Sequence, residues 1–173
     1  MKTFVNQSIW AIMAVMMAGC ASNSGVKSGE MAKGKEYLMQ SGGHSVLKLT
    51  GPMDSQGKSQ DGSLTISLKN DVEIWLVSGV GTIGEAEGRI GETMKGEFKD
   101  FKPASTKEVM IAGSSAKELV GPGNEADDGD AGEADVIVFK VGGRVFVACT
   151  HGEELKPGAR EGMMRLVKTA QGV

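Results

Sequence analysis

The sequence predicts an α+β domain in which an antiparallel sheet is covered by two helices. Three observations carry that prediction. Two apolar runs, residues 135–141 and 144–150, flank Gly142-Gly143, which reads as a hairpin with a primed two-residue turn. Thr82-Ile83-Gly84-Glu85 forms a capping box, and Ile83, Ala86, Ile90, Met94, Phe98 and Phe101 follow at helical spacing. Pro157 opens a second helical pattern with Ala159, Met163, Leu166, Val167 and Ala170 on one face. Strands, a helix, more antiparallel strands and a closing helix form layers about one core. The 173 residues leave room for one such domain.

From the N-terminus, the first element is an export signal. Lys2 and the free amine precede a ten-residue apolar core at 9–18, short of the ~18–20 residues of a spanning helix. Met17-Ala18-Gly19-Cys20 closes it. This ending resembles the lipobox of bacterial lipoproteins, with Met17 where Leu is commoner. The resemblance implies that residues 1–19 are a lipoprotein signal peptide. It also implies that Cys20 is the lipidation site, its thiol carrying a diacylglycerol and its freed amine a further acyl chain. Each buried CH₂ contributes ~0.8 kcal/mol, so several chains hold a protein on a bilayer. Ala21 follows, where lipoproteins kept at the inner membrane commonly carry Asp. The periplasmic face of the outer membrane is therefore implied for a Gram-negative source.

Residues 20–35 read as a Ser-, Gly- and Lys-rich tether, too polar to order itself, with a reach of roughly 20–25 Å. The domain proper spans 36–173. Residues 46–49 are a short strand candidate ended by Gly51-Pro52. Residues 64–68 and 72–77 are the next pair. A three-residue loop, Lys69-Asn70-Asp71, sets Leu68 opposite Val72, Ile66 opposite Ile74 and Leu64 opposite Leu76, which keeps one apolar face intact.

The helix of residues 82–101 contains Gly84, Gly88, Gly91 and Gly96, each costing up to ~1 kcal/mol against Ala, so it depends on tertiary packing. Residues 108–112 and 116–120 are strands around Gly113-Ser114-Ser115. In the Gly-Gly hairpin Phe139 faces Phe146, Ile137 faces Ala148, Val138 faces Val147 and Val136 faces Cys149. Both faces are apolar, so the pair lies centrally and is covered on both sides. Gly172 marks the stop of the final helix.

The stretch from Thr82 to Ala170 looks like the PsbP-like fold, an α/β/α sandwich shared by the photosystem protein PsbP, the Ran-binding protein Mog and many bacterial lipoproteins. The resemblance rests on the mid-chain helix, the strand into Ile111-Ala112-Gly113, the hairpin flanked by VIVFKV and RVFVACT, and the terminal LVKTA. It implies a binding or assembly role and supplies no shared catalytic residues.

Several groups are candidates for chemistry. Gly79-Val80-Gly81-Thr82-Ile83-Gly84 matches G-x-G-x-x-G between a strand and a helix. The antiparallel pattern that follows makes it a flexible strand-to-helix turn, and no cofactor is expected. Glu125, Asp127, Asp128, Asp130, Glu133 and Asp135 place six carboxylates in eleven residues. The first four are candidate ligands for a hard cation, but the spacing does not fit an EF-hand, and a solvated acidic loop is the favoured reading. Cys149 and His151 share a strand face and form a candidate polar site, which Glu153 or Glu154 would close. The thiol sits in an apolar layer where it is inert, and no third orienting residue accompanies the pair. His44 stands alone.

A net charge of −3 gives no basic excess for nucleic acid. The expected function is that of a membrane-anchored extracytoplasmic lipoprotein with a non-enzymatic domain binding a protein or envelope component. The alternative is a small-molecule or divalent-ion carrier using the sheet-helix crevice or the acidic 125–135 loop.

Overall fold

A computed structural model describes residues 34–79 and 81–173. The expected signal peptide, the expected lipidation site Cys20 and the segment read as tether up to residue 33 lie outside the described residues. In chain order the first half comprises β1 (Lys35–Ser41), β2 (His44–Gly51), β3 (Gln56–Gln60), β4 (Ser63–Ser67), β5 (Glu73–Ser78), α1 (Ile83–Gly88) and α2 (Ile90–Thr93). The second half comprises β6 (Phe98–Lys99), β7 (Ser105–Ile111), β8 (Ser114–Glu125), β9 (Ala131–Val141), β10 (Arg144–Gly152), α3 (Ala159–Val167) and β11 (Gln171–Gly172). The fold is α+β, mostly antiparallel sheet with few helices.

The main sheet has the order β3-β4-β5-β10-β9-β8-β6, and β7 pairs with the first half of β8. A smaller sheet has the order β1-β2-β11. The central hairpin pairs as its two-residue turn requires: Phe139 with Phe146, Ile137 with Ala148, Val138 with Val147 and Val136 with Cys149. The β4–β5 register follows from keeping one face apolar, with Leu64 opposite Leu76 and Ile66 opposite Ile74. Asn70 and Asp71 supply the left-handed residues of that turn (φ 62° and 56°), and the Leu68 amide donates to the Val72 carbonyl at 2.7 Å.

Both faces of the central strands are buried, for different reasons. One face, carrying Ile137, Phe139, Phe146 and Ala148, packs against Met39, Leu47 and Leu49 of the small sheet and against Met163, Leu166 and Val167 of α3. The other, carrying Val136, Val138, Val147 and Cys149, packs under Ala86, Ile90 and Met94 of α1 and α2 and under Phe98. The cover is therefore not two helices alone, because a second sheet shares one side with α3. Its first strand starts at Lys35, within the segment read as tether. Tyr37 and Met39 point inward there while their neighbours are exposed, a two-residue alternation too short to stand out.

The helix expected over 82–101 is broken into α1 and α2, then gives way to β6. Its capping box forms: the Glu85 amide donates to the Thr82 hydroxyl at 3.3 Å, and the Thr82 amide to the Glu85 carboxylate at 2.6 Å. The expected inward residues Ala86, Ile90, Met94 and Phe98 are all buried. The apolar spacing thus identified the inner face, while the glycines left too little helix preference to carry the backbone through.

The turn between β7 and β8 is Ala112-Gly113, with φ of 48° and 77°, a primed two-residue turn. It is not the three-residue Gly113-Ser114-Ser115 loop, and both strands run beyond the expected limits. Gly158 (φ 82°), one residue after Pro157, occupies the position preceding α3. Gly172 does not simply stop that helix, since Gln171 and Gly172 pair with Lys48 and Leu47. β3 was not foreseen; all five of its residues are exposed, as suits an edge strand with no apolar face to betray it.

Candidate functional site

The main sheet parts at one end between β5 and β10. β5 and β10 pair from Phe146–Ser78 to Cys149–Trp75 and no further. Beyond that point Glu73 and Ile74 pair only with β4, and Thr150, His151 and Gly152 only with β9. A cleft of about 1140 Å³ opens there. Trp75, Thr150 and His151 line it, and the turn before β5, the segment between α2 and β6, the β8–β9 connection and the chain leading to α3 wall it in.

The cleft has an aromatic floor. The His151 ring stacks on Trp75 with centroids 4.6 Å apart and planes 16° from parallel. Phe98 meets the same imidazole edge-on at 5.9 Å. Burial pulls the His151 pKa down, against the opposing pull of Glu125, Asp127 and Glu73. The ring is therefore neutral at neutral pH, and its contact with Glu125 (Nδ1 to Oε1, 3.7 Å) is too long for a hydrogen bond.

The walls are acidic. Glu73, Glu97, Glu125, Asp127, Glu153 and Glu154 all line the cleft. Burial raises the pKa of Glu97, and the charge of Glu73 adds to the rise. Among the described residues no Lys or Arg forms an ion pair with any of these six. Lys156, which also lines the cleft, donates instead to the Asp71 carbonyl at 2.8 Å. Thr150, 2% exposed, also lines the cleft and pairs with Asp135 of β9.

The expected acidic loop is divided by the fold. β8 reaches Glu125 and β9 begins at Ala131, so the connection is only 126–130, while Glu133 and Asp135 belong to a strand. The connection is held by Glu125 N–H to the Asp130 carbonyl (2.8 Å), Gly129 N–H to the Glu125 carbonyl (3.1 Å) and Asp130 N–H to Asp128 Oδ1 (3.0 Å). Ala126 N–H donates to the Glu97 carbonyl at 3.1 Å, tying the connection to the opposite wall. Carboxylate oxygens of Glu125, Asp127 and Asp128 lie within 4.8 Å of one another; Asp130 is not in that group. Each offers one oxygen to that group, and calcium takes six to eight, so most of its ligands would have to be second carboxylate oxygens, carbonyls or water.

Cys149 and His151 stand in different surroundings. Cys149 is fully buried beside Val136, Val138 and Val147. Burial, with the charges of Glu97 and Asp135, pushes its thiol pKa well up. Only His151 opens into the cleft, and Glu153 and Glu154 join it there. A thiol reagent on the native protein should therefore label Cys149 at least tenfold more slowly than the unfolded chain. Equal rates in the two states would show an accessible thiol.

Sequence reasoning missed Trp75, Glu73 and Glu97. The available signal was the polar and aromatic face, Glu73 and Trp75, of a strand whose other face is Ile74 and Leu76. Of the G-x-G-x-x-G segment, Gly81 (φ 67°) and Thr82 lead into α1. The Glu85 carboxylate already occupies that helix's N-terminus, and its pKa is lowered by the hydrogen bonds with Thr82.

On the opposite face lies a second polar group. Asp135 (0% exposed) and Glu118 (4%) share Arg160 of α3. The guanidinium Nε is 2.8 Å from Glu118 Oε1 and 3.4 Å from Asp135 Oδ2. Neither Asp135 oxygen makes a hydrogen bond among the described residues. Burial, reinforced by the Glu118 charge and opposed by Arg160, pushes the Asp135 pKa up to about 7.

No protein-family model matches the chain, and no curated protein matches it. Among solved structures it is similar to a protein of Bacteroides thetaiotaomicron VPI-5482, with a TM-score of 0.55 and 13% identity. That similarity covers 82% of this chain but only 49% of the Bacteroides chain, so the likeness concerns the fold of about half of that protein. It is also similar to LpqN, described as involved in cell envelope biogenesis of Mycobacterium tuberculosis, with a TM-score of 0.39, 15% identity, and coverage of 80% and 91%. Among the described residues no helix is long and apolar enough to cross a membrane.

Proposed function

We propose that this protein is a membrane-anchored extracytoplasmic lipoprotein whose domain is a non-catalytic binding module, with the cleft between β5 and β10 as its binding site. The observation that carries the reading is the parting of β5 and β10. A sheet loses backbone hydrogen bonds where its strands separate, and here the gap is lined by an aromatic stack and polar groups instead of being packed shut. The lipobox Met17-Ala18-Gly19-Cys20 supports the anchor. The binding and assembly roles of PsbP-like proteins agree with the rest. A non-catalytic role is supported by the burial of Cys149 away from the cleft.

Fatty-acid labelling of cells tests the anchor. The parent should take up label and sediment with membranes, while Cys20→Ser should lose the label and remain an uncleaved precursor. Equal labelling of the two would overturn it. A photocrosslinking residue at Glu154 tests the site. It should give position-specific adducts in cells that one at Lys58, on the exposed edge strand β3, does not.

A further inference from the structure

We infer that the cleft recognises an organic cation, an alkylammonium or guanidinium group, held over the Trp75–His151 stack and between the walls formed by Glu73, Glu97, Glu153 and Glu154. The inference rests on the cleft being the binding site proposed above, and it names the chemistry of the occupant.

Three features of the site converge. The carboxylates form no ion pair with Lys or Arg among the described residues. The pKa of Glu97 is raised by burial first and then by the charge of Glu73. A cation between them removes both penalties, and the effect is larger in a partly enclosed site than in bulk water. The floor is a neutral aromatic stack, and a Trp face is the best partner for a cation among the side chains. Were His151 charged, the stack would repel the ligand; burial keeps it neutral.

Size separates an organic cation from a metal ion. About 1140 Å³ is somewhat larger than the ~300–1,000 Å³ of most small-ligand sites. A bare divalent ion would leave it almost empty and would gain nothing from the aromatic floor. The same alkylammonium chemistry reaches such a site as a free polyamine or as a lysine-rich peptide segment.

Calorimetric titration of the full-length protein at low salt distinguishes these cases, with spermidine, tetralysine, the uncharged maltotetraose and calcium as probes. Spermidine or tetralysine should bind, and Glu73→Gln combined with Glu97→Gln should weaken that binding at least tenfold. Trp75→Leu should weaken it severalfold, and Asp128→Asn, outside the cleft lining, should leave it within twofold. Tetralysine at least tenfold tighter than spermidine identifies a peptide segment, and comparable affinities identify a free polyamine. Unchanged midpoints of thermal unfolding confirm that the variants are folded. Absence of binding by both cations overturns the inference, as does binding that survives the double Gln variant or binding of calcium alone. If maltotetraose binds and Trp75→Leu abolishes it, the cleft remains the binding site and only its cation chemistry falls. If no probe binds and Glu154 gives no crosslink, both readings fall.

Discussion

Cys149→Asp should abolish folding at pH 8, whereas Cys149→Ala should leave a folded protein less stable by about 1 kcal/mol or less. The position lies in the middle of the sheet, paired with Val136 on one side and Trp75 on the other, and it is fully buried. Asp is close to Cys in volume, so the substitution reads polarity and not packing. Its carboxylate would be desolvated and would face the charges of Glu97 and Asp135, the same field that raises the native thiol. An unpaired buried charge costs several kcal/mol, and protonation only exchanges it for an unsatisfied polar group. Against a typical total stability of ~5–15 kcal/mol, that loss removes most of the native population. Circular dichroism and proton NMR dispersion of the Ala, Ser and Asp variants would order them. A Cys149→Asp protein with the parent's midpoint would overturn the assignment of this face to the core.

Two substitutions at the opposite face should have effects of opposite sign. Arg160→Leu leaves Glu118 and Asp135 buried without their shared cation and should destabilise by about 2–3 kcal/mol. That is below the ~3–5 kcal/mol of a fully buried pair because the guanidinium is half-exposed. Asp135→Asn should stabilise at pH 8 by about 1–2 kcal/mol, since it removes a charge whose oxygens make no hydrogen bond among the described residues.

The pH dependence follows from the same group. The unfolded carboxyl releases its proton near the ordinary value of ~3.9, while the folded one holds it up to about 7. Within that window the folded state binds more protons, so the parent loses stability as pH rises from about 4 to about 7 and levels off above. Glu118, Glu133 and Glu161 reinforce the shift and Arg160 opposes it. Asp135→Asn should flatten this slope. Urea unfolding of the parent and both variants at pH 5 and pH 8 measures it, and equal slopes for parent and Asp135→Asn would rule out the carboxyl as the source.

Local pattern alone determined a good deal of this molecule. The Gly142-Gly143 hairpin and its register were readable because a primed two-residue turn fixes which residues face each other. Keeping one apolar face intact placed Asn70 and Asp71 in the β4–β5 turn. Ala86, Ile90, Met94 and Phe98 were assigned correctly to the interior although the helix carrying them is interrupted, because burial depends on where apolar atoms point and helix continuity on backbone preference. Cys149 was legible as a buried thiol from its valine neighbours.

The site was not legible in that way. Cys149 and His151 are two residues apart on one strand face, yet one is sealed in the core and the other stands in the cleft. The difference arises where β5 leaves β10 after Trp75, a tertiary event with no local signature. Glu73, Glu97, Glu125 and Glu154 come from four segments, and each in isolation is an ordinary surface acid. The second sheet escaped notice for a different reason: β1 pairs with the adjacent β2 across Gly42-Gly43 but has only Tyr37 and Met39 as inward residues, and β11 pairs with β2 across more than a hundred residues. Periodicity reports which face of an element is apolar. It cannot report where two strands separate or which charges then confront one another across the gap, because those depend on contacts between residues far apart in sequence.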